Sequence, residues 1–278
     1  VVVACTALES ARLLLLSRSG RYPNGLANGS GLVGKNLVFS GFGRARALFK
    51  HAGRKDREWV TDAAPFVQRS MQDYYLLDKP IDGVRKGGTV LFSLAHPNPI
   101  HTAERIAGDR PERAVWGLEL KERLREQAAG GKALEFETFA EYLPNAGTYV
   151  DLDPAEKDRW GTPVARVTIA RHPLDFKSTK LLVDKGVEVL KALGPDSLEV
   201  VADHGETKIL QGGTCRFGTD PAASVLDPSC RSHEVKNLYV SDGSFMPTSG
   251  GVPFTLTIVA NALRVGGLMA KRFKQGQL

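Results

Sequence analysis

The chain has 278 residues, with 37 Lys and Arg against 31 Asp and Glu, a formal charge of +6. At 42% hydrophobic and 24% charged residues its composition is globular, which excludes a disordered tail, a collagen-like fibre and a disulfide scaffold. The small positive surplus is not gathered in any segment and implies no nucleic-acid partner, and no apolar run approaches the roughly 20 residues of a membrane span.

Val1-Val2-Val3-Ala4-Cys5 reads as a buried strand with no initiating Met and no basic leader, so sequence upstream of it is expected. It leads through a tight junction into a helix whose Leu13, Leu14 and Leu16 are expected to face inward. Such a strand–turn–helix unit is typical of an α/β sheet. Residues 20–36 are rich in Gly and Asn and read as loop. Strand candidates follow at Leu37–Phe39, Phe66–Tyr74 and Thr89–Ser93. A helix is expected over Leu118–Gln127, with Leu118, Leu120 and Leu124 on one face.

Strands then dominate, at Ala133–Tyr142, Tyr149–Leu152 and Val164–Ala170, divided by Pro144-Asn145 and Asp153-Pro154. Residues 175–193 form the clearest helix. Asp175 is its expected N-cap, Leu182, Val183, Val187, Leu190 and Leu193 are its apolar stripe, and Gly194-Pro195 stops it. Asn237–Val240 reads as a strand, Asp242–Gly251 as a loop, and Thr255–Phe273 as a long helix entered just after Pro253. The ends therefore look α/β while the middle is sheet with added helices, which suggests two domains, one interrupted by the other.

Most motifs point away from common chemistries. Gly29-Ser30-Gly31-Leu32-Val33-Gly34 has GxGxxG spacing, but turn formers precede it and no acidic residue ends a second strand downstream. A working dinucleotide loop leads from a strand straight into a helix, so this match reads as a decoy. Cys5, Cys215 and Cys230 form no CxxC, and the six histidines form no HExxH, so no metal site is expected. No GxSxG elbow supports a serine hydrolase. The informative stretch is 212–263. There a strand delivers Asp242-Gly243 at its carboxyl end, and the Pro247–Gly251 loop enters a long helix whose free amides suit an electron-rich group.

The run GTCRFGTDPAASVLDPSCRSHEVKNLYVSDGSFMPTSGG resembles the C-terminal part of the glucose–methanol–choline (GMC) flavin-dependent oxidoreductases, most of all the members like gluconate and sorbitol dehydrogenases. ALESARLLLLS, NGLANGSGLVGKNL and LPNAGTYVDLDPAEKDRWGTPVAR extend the likeness over essentially the whole chain. The resemblance implies a mixed α/β fold. A partial FAD-binding α/β domain (1–36 and 205–278) would be interrupted by an antiparallel-sheet substrate domain (37–204). The amino-terminal half that grips the adenosine and pyrophosphate of FAD would be absent. The implied reaction oxidises a small alcohol or sugar to a carbonyl, with hydride passing to FAD and on to oxygen or another electron acceptor. Asp242 and Gly243 would meet the ribityl and pyrophosphate region, Thr255 the pyrimidine edge of the flavin, and Ala7 and Ser10 the adenosine side.

Departures from the family pattern bear on activity. The usual His three residues before the Gly of GTC is Leu210, and the usual His or Asn after the SGG glycines is Pro253. Neither side chain can accept a proton. A glycine of the family's turn before the first helix is Thr6, and the His after NLMF is Ser40. His204 is the substitute candidate for the base. Loss of both members of the pair predicts a rate lower by roughly 10²–10⁴-fold, the usual contribution of acid–base assistance.

Overall fold

The structure, a computed structural model, describes residues 1–50, 69–94, 99–108, 114–201 and 209–277. The chain opens with strand β1 (Val2–Val3) and helix α1 (Thr6–Leu16), then a long glycine-rich loop. Strands β2 (Arg44–Phe49), β3 (Arg69–Met71) and β4 (Gly88–Leu94) follow, then helices α2 (Pro99–Ala107) and α3 (Gly117–Gly130). Next come β5 (Lys132–Ala140), the hairpin β6 (Tyr149–Lys157) and β7 (Pro163–Thr168), helix α4 (Pro173–Ala192) and β8 (Ser197–Val201). The described chain closes with β9 (Tyr239–Val240), a 3₁₀ turn (Gly243–Phe245) and α5 (Thr255–Lys274). The result is the expected mixture of α/β and antiparallel parts.

Three sheets organise these elements. The antiparallel sheet runs β3-β4-β5-β2-β8, the β6–β7 hairpin is antiparallel, and β1 pairs with β9 in parallel. In β5 the even-numbered residues Leu134, Phe136 and Ala140 pack under α4 with Leu182, Val183 and Leu190. Contact there is close enough that a Cβ on Gly186 would meet the Phe136 ring at 2.7 Å. A second core joins Leu14 and Leu15 of α1 to Leu37–Phe39, Val150, Cys215, Tyr239, Val240, Phe245 and Val265. The hairpin sits in this second core, tied to α1 by Arg12, whose Nε donates to Pro163 O at 2.9 Å and whose Nη2 pairs with Asp158 at 2.7 Å.

Several expectations need correction. Helix α1 buries Ala7, Ser10, Ala11, Leu14 and Leu15, while Leu13 is exposed, so the inward stripe is set by small residues at i, i+3 and i+4 followed by Leu14 at i+7. On α3, Leu118 is exposed and only Leu120 and Leu124 are half-buried. Asp175 is not the N-cap of α4; His172 is, and Asp175 is its capping-box partner three residues on. Leu193 is exposed rather than part of the α4 stripe. Leu37–Phe39 makes a single bridge, Val38 to Gly212, rather than a strand. Phe66–Gln68 lie outside the described residues.

Candidate flavin-facing site

Parallel pairing of β1 with β9 brings their carboxyl ends side by side. The start of α1 therefore stands next to Asp242, the residue two beyond β9, which is where ligands of α/β sheets bind. The link is a relay. The Cys5 amide donates to Ser10 Oγ at 3.0 Å, and Ser10 Oγ donates to Asp242 Oδ2. The other oxygen of Asp242 accepts from the Ser244 amide at 2.8 Å and caps the 3₁₀ turn. Ser10 is fully buried and Asp242 nearly so, and the carboxylate is saturated by its own chain.

Gly243 is a crossing point. A Cβ there would lie 2.7 Å from Gln211 O and 3.1 Å from the Ile258 side chain, so only glycine lets the 211–213 segment and the first turn of α5 close over it. Gly213 N donates to Gly243 O at 3.1 Å, Cys215 N to Ser244 O at 2.8 Å, and Thr214 Oγ1 to Ala7 O at 2.7 Å. Ala7, Ser10, Asp242 and Gly243 are thus brought together, with α1 and α5 beginning on either side. Thr255 and Pro253 are exposed at the start of α5. Burial and the nearby Asp242 charge push the Cys215 thiol far up, so it is an inert core residue.

Leu210 sits across from Ser40 on the short 38–40/210–212 pairing. Its φ of +56° bulges the strand, so Ser40 N donates to Ile209 O at 3.1 Å instead of continuing the register set by Val38 and Gly212. The Ser40 hydroxyl is buried and makes no hydrogen bond among the described residues. Ser40 and Leu210, the two positions expected from the resemblance to be substituted, thus lie on the same short pairing. Thr6 has φ +73°, an outlier for a β-branched residue. His204 lies outside the described residues.

The glycine run at 29–34 is turn and loop, not a strand-to-helix junction. Gly29 N donates to the Glu234 carboxylate at 3.0 Å, and a Cβ on Gly34 would stand 2.1 Å from Val150 O. Gly34 thus serves close packing against β6, and Gly29 close approach to the Glu234 loop. Among the described residues no group of His, Cys, Asp and Glu could hold a metal, and no helix is long and apolar enough to cross a membrane.

Three features of this region lay beyond sequence reasoning: Ser244 and Thr214, which lock the turn, and Lys86 with Glu141, which pair at 2.7 Å beside the Ser249–Gly251 loop.

A parallel pair whose Asp-Gly turn lies between two helix starts, joined to an antiparallel sheet covered by one long helix, defines a mixed α/β chain. Residues 144–262 match the GMC oxidoreductase family, and the chain belongs to it. It is 34% identical over 274 residues to paromamine 6'-oxidase of Streptomyces fradiae, covering 95% of this chain and 44% of that protein. It is 31% identical to 2-methyl-1,2-propanediol dehydrogenase of Mycolicibacterium austroafricanum, covering 98% of this chain and 48% of that one. The chain thus spans under half the length of both relatives. In fold it is similar to formate oxidase of Aspergillus oryzae, at a TM-score of 0.55 and 14% identity over 99% of this chain and 54% of that one.

Proposed function

We propose that the chain is the C-terminal part of an FAD-dependent oxidoreductase that oxidises the CH–OH group of a small alcohol, sugar or polyol. Residues 1–36 and 205–278 would contribute to the FAD-binding domain, and 37–204 would form the substrate domain. The observation that carries the reading is the convergence of Ala7, Ser10, Asp242 and Gly243 between the first turns of α1 and α5.

The residues present fit a polar, anionic cofactor. The first-turn amides of both helices lack intrahelical acceptors and carry the positive end of the dipole. The closed contact at Gly243 leaves no side chain in the way. Ser10 would act by holding Asp242, and Thr255, exposed at the first turn of α5, would meet the flavin's polar edge. When bound, FAD supplies the acceptor for the hydride lost from the carbinol carbon. The chain's own task is to orient the alcohol and to take up its hydroxyl proton.

On this reading the second task lacks an obvious agent, because the resemblance would put Leu210 and Pro253 at the two positions that perform it. This observation favours a second reading, in which the chain keeps the GMC fold as a flavin-holding or interaction module without turnover. The test is to purify the full-length protein, record its flavin absorbance and follow bleaching by polyols without oxygen. Rapid bleaching overturns the second reading; absence of flavin overturns the first. Restoring His at Leu210 and Asn at Pro253 should raise a slow rate by about 10²-fold or more if proton transfer limits it. His also tolerates the positive φ at 210 better than Leu does.

A further inference from the structure

We propose that Arg216 is the anchor of a second ligand site, apart from the flavin-facing one, that takes a short-chain carboxylate. The inference does not depend on the oxidoreductase reading.

Arg216 follows the turn at Cys215, whose side chain is fully buried beside Asp242. The arginine instead lines an open cavity of about 220 Å³, with Phe217, Thr219, Ala223, Ser224 and Pro247 among its walls. None of Ala7, Ser10, Asp242, Gly243 or Thr255 borders that cavity.

The charge there is uncompensated. Two other half-buried arginines are matched: Arg12 pairs with Asp158 at 2.7 Å, and Arg272 Nη1 donates to Tyr239 Oη at 2.7 Å. Arg216 is half-buried too, yet among the described residues its guanidinium makes no ion pair and no hydrogen bond. Burial pulls its pKa below the ordinary value, and no carboxylate pulls it back. Asp220, the acid of the same loop, is engaged elsewhere, its Oδ1 accepting from Ala222 N at 2.9 Å. Taking a cation out of water without a partner is costly, so the arrangement favours an anion that supplies one.

The loop around Arg216 is fixed by its own bonds. Val225 N and Leu226 N both donate to Arg216 O, at 3.0 and 3.2 Å, and Gly218 N donates to Leu226 O at 2.9 Å. Ser224 Oγ donates to Asp220 O at 2.6 Å and lies 2.9 Å from His233 Nε2. With its proton on Asp220 O, Ser224 accepts from Nε2–H, which makes it a wall and not a nucleophile. Phe217 packs on Phe245 with ring centroids 5.5 Å apart. With Ala223 and Pro247 it gives the cavity an apolar side.

A planar guanidinium beside an apolar wall matches a carboxylate, held bidentately, with a short hydrocarbon chain. At about 30 Å³ for each water-sized atom the cavity holds roughly seven heavy atoms, a carboxylate and about four further carbons. An inorganic dianion would leave the apolar wall uncovered and set a second charge against Asp220, which also lines the cavity.

The test titrates the full-length protein with sodium pentanoate by calorimetry at fixed ionic strength, with 1-pentanol and inorganic phosphate for comparison. Pentanoate should bind saturably with a dissociation constant of about 1 mM, and the other two at least about tenfold more weakly. Arg216→Gln should weaken pentanoate by about tenfold or more, and Arg216→Lys by about threefold or more, because lysine keeps the charge but not the fork. Pentanoate should raise the thermal midpoint of the wild type and leave that of Arg216→Gln unmoved. Ala223→Leu, at an exposed position, keeps the arginine and fills the space of the chain, so it too should weaken pentanoate about tenfold. Unchanged affinity in Ala223→Leu overturns the proposal even if Arg216→Gln misfolds. So does unchanged affinity in a folded Arg216→Gln, or phosphate binding as tightly as pentanoate. A dissociation constant above about 100 mM overturns it as well, since a solvated ion pair alone gives that much.

Discussion

Helices α4 and α1 both start beside a buried carboxylate, and the two starts are built differently. At α4 the capping groups are matched. His172 Nδ1 accepts from Leu174 N at 3.1 Å, and Asp175 accepts from His172 N at 3.0 Å and from Leu143 N at 2.9 Å. At α1 the cap residue Cys5 makes no side-chain cap bond, Thr6 is held at φ +73°, and the carboxylate belongs to Asp242, over 200 residues downstream. A relaxed, closed helix start is what stability requires. Backbone held in a sparsely populated conformation, as at Thr6, clusters at ligand sites. The difference is the one expected if α1, as proposed, and not the better-capped α4, borders the flavin.

The strongest way to break this contrast is Asp175→Ala. Two backbone amides, Leu143 N and His172 N, would lose their acceptor in a region closed to water. At about 1–3 kcal/mol for each buried group left unpaired, a loss of about 3 kcal/mol is expected in denaturant unfolding. Flavin content should stay unchanged in protein that remains folded. A loss of flavin at full stability would show that α4 also serves the site.

A smaller effect of opposite sign is expected at α1. Thr6→Gly removes a left-handed strain of about 1–2 kcal/mol and adds about 0.5–1 kcal/mol of unfolded-state entropy cost. The net gain should be roughly 0.5–1 kcal/mol of unfolding free energy, read as a raised denaturation midpoint. A lower midpoint would mean that Thr6 contacts outweigh the strain, and α1 would then be no more strained than α4.

The two regions also differ in how far the sequence exposes them. The α4 and α5 spans and the Asp242-Gly243 turn after a strand were legible, because apolar periodicity and turn residues are local signals. The glycine run at 29–34 could be set aside because no strand precedes it, and the structure supplies the positive reason in Gly34 against Val150 O. Strand β2, Arg44–Phe49, escaped notice because Arg and Ala are poor strand formers, although Ala45, Ala47 and Phe49 alternate inward. The inward face of α1 was misjudged because its stripe uses Ala7, Ser10 and Ala11, and four leucines in a row outshine them. Lys86 and Glu141 could not be paired by reading alone. They meet only because Gly88 of β4 registers with Ala140 of β5, a long-range pairing that no local pattern encodes.

The finest distinction between the two helix starts concerns charge rather than contact. Burial holds the Asp175 carboxyl above its usual range, against the opposing pull of the Leu143 and His172 amides. A group whose folded-state pKa is raised favours folding when protonated. That contribution is present at acid pH and is lost as pH rises from the ordinary carboxylate range through the raised value. Asp175→Asn keeps an acceptor oxygen but cannot ionise. The stability difference between wild type and Asp175→Asn should therefore move in favour of the variant as pH climbs from about 3 to 7, read as unfolding midpoints across that range. The opposite slope would mean that the ionised form is the one α4 prefers. Charge would then be part of its cap, and geometry alone would no longer separate the closed start from the open one.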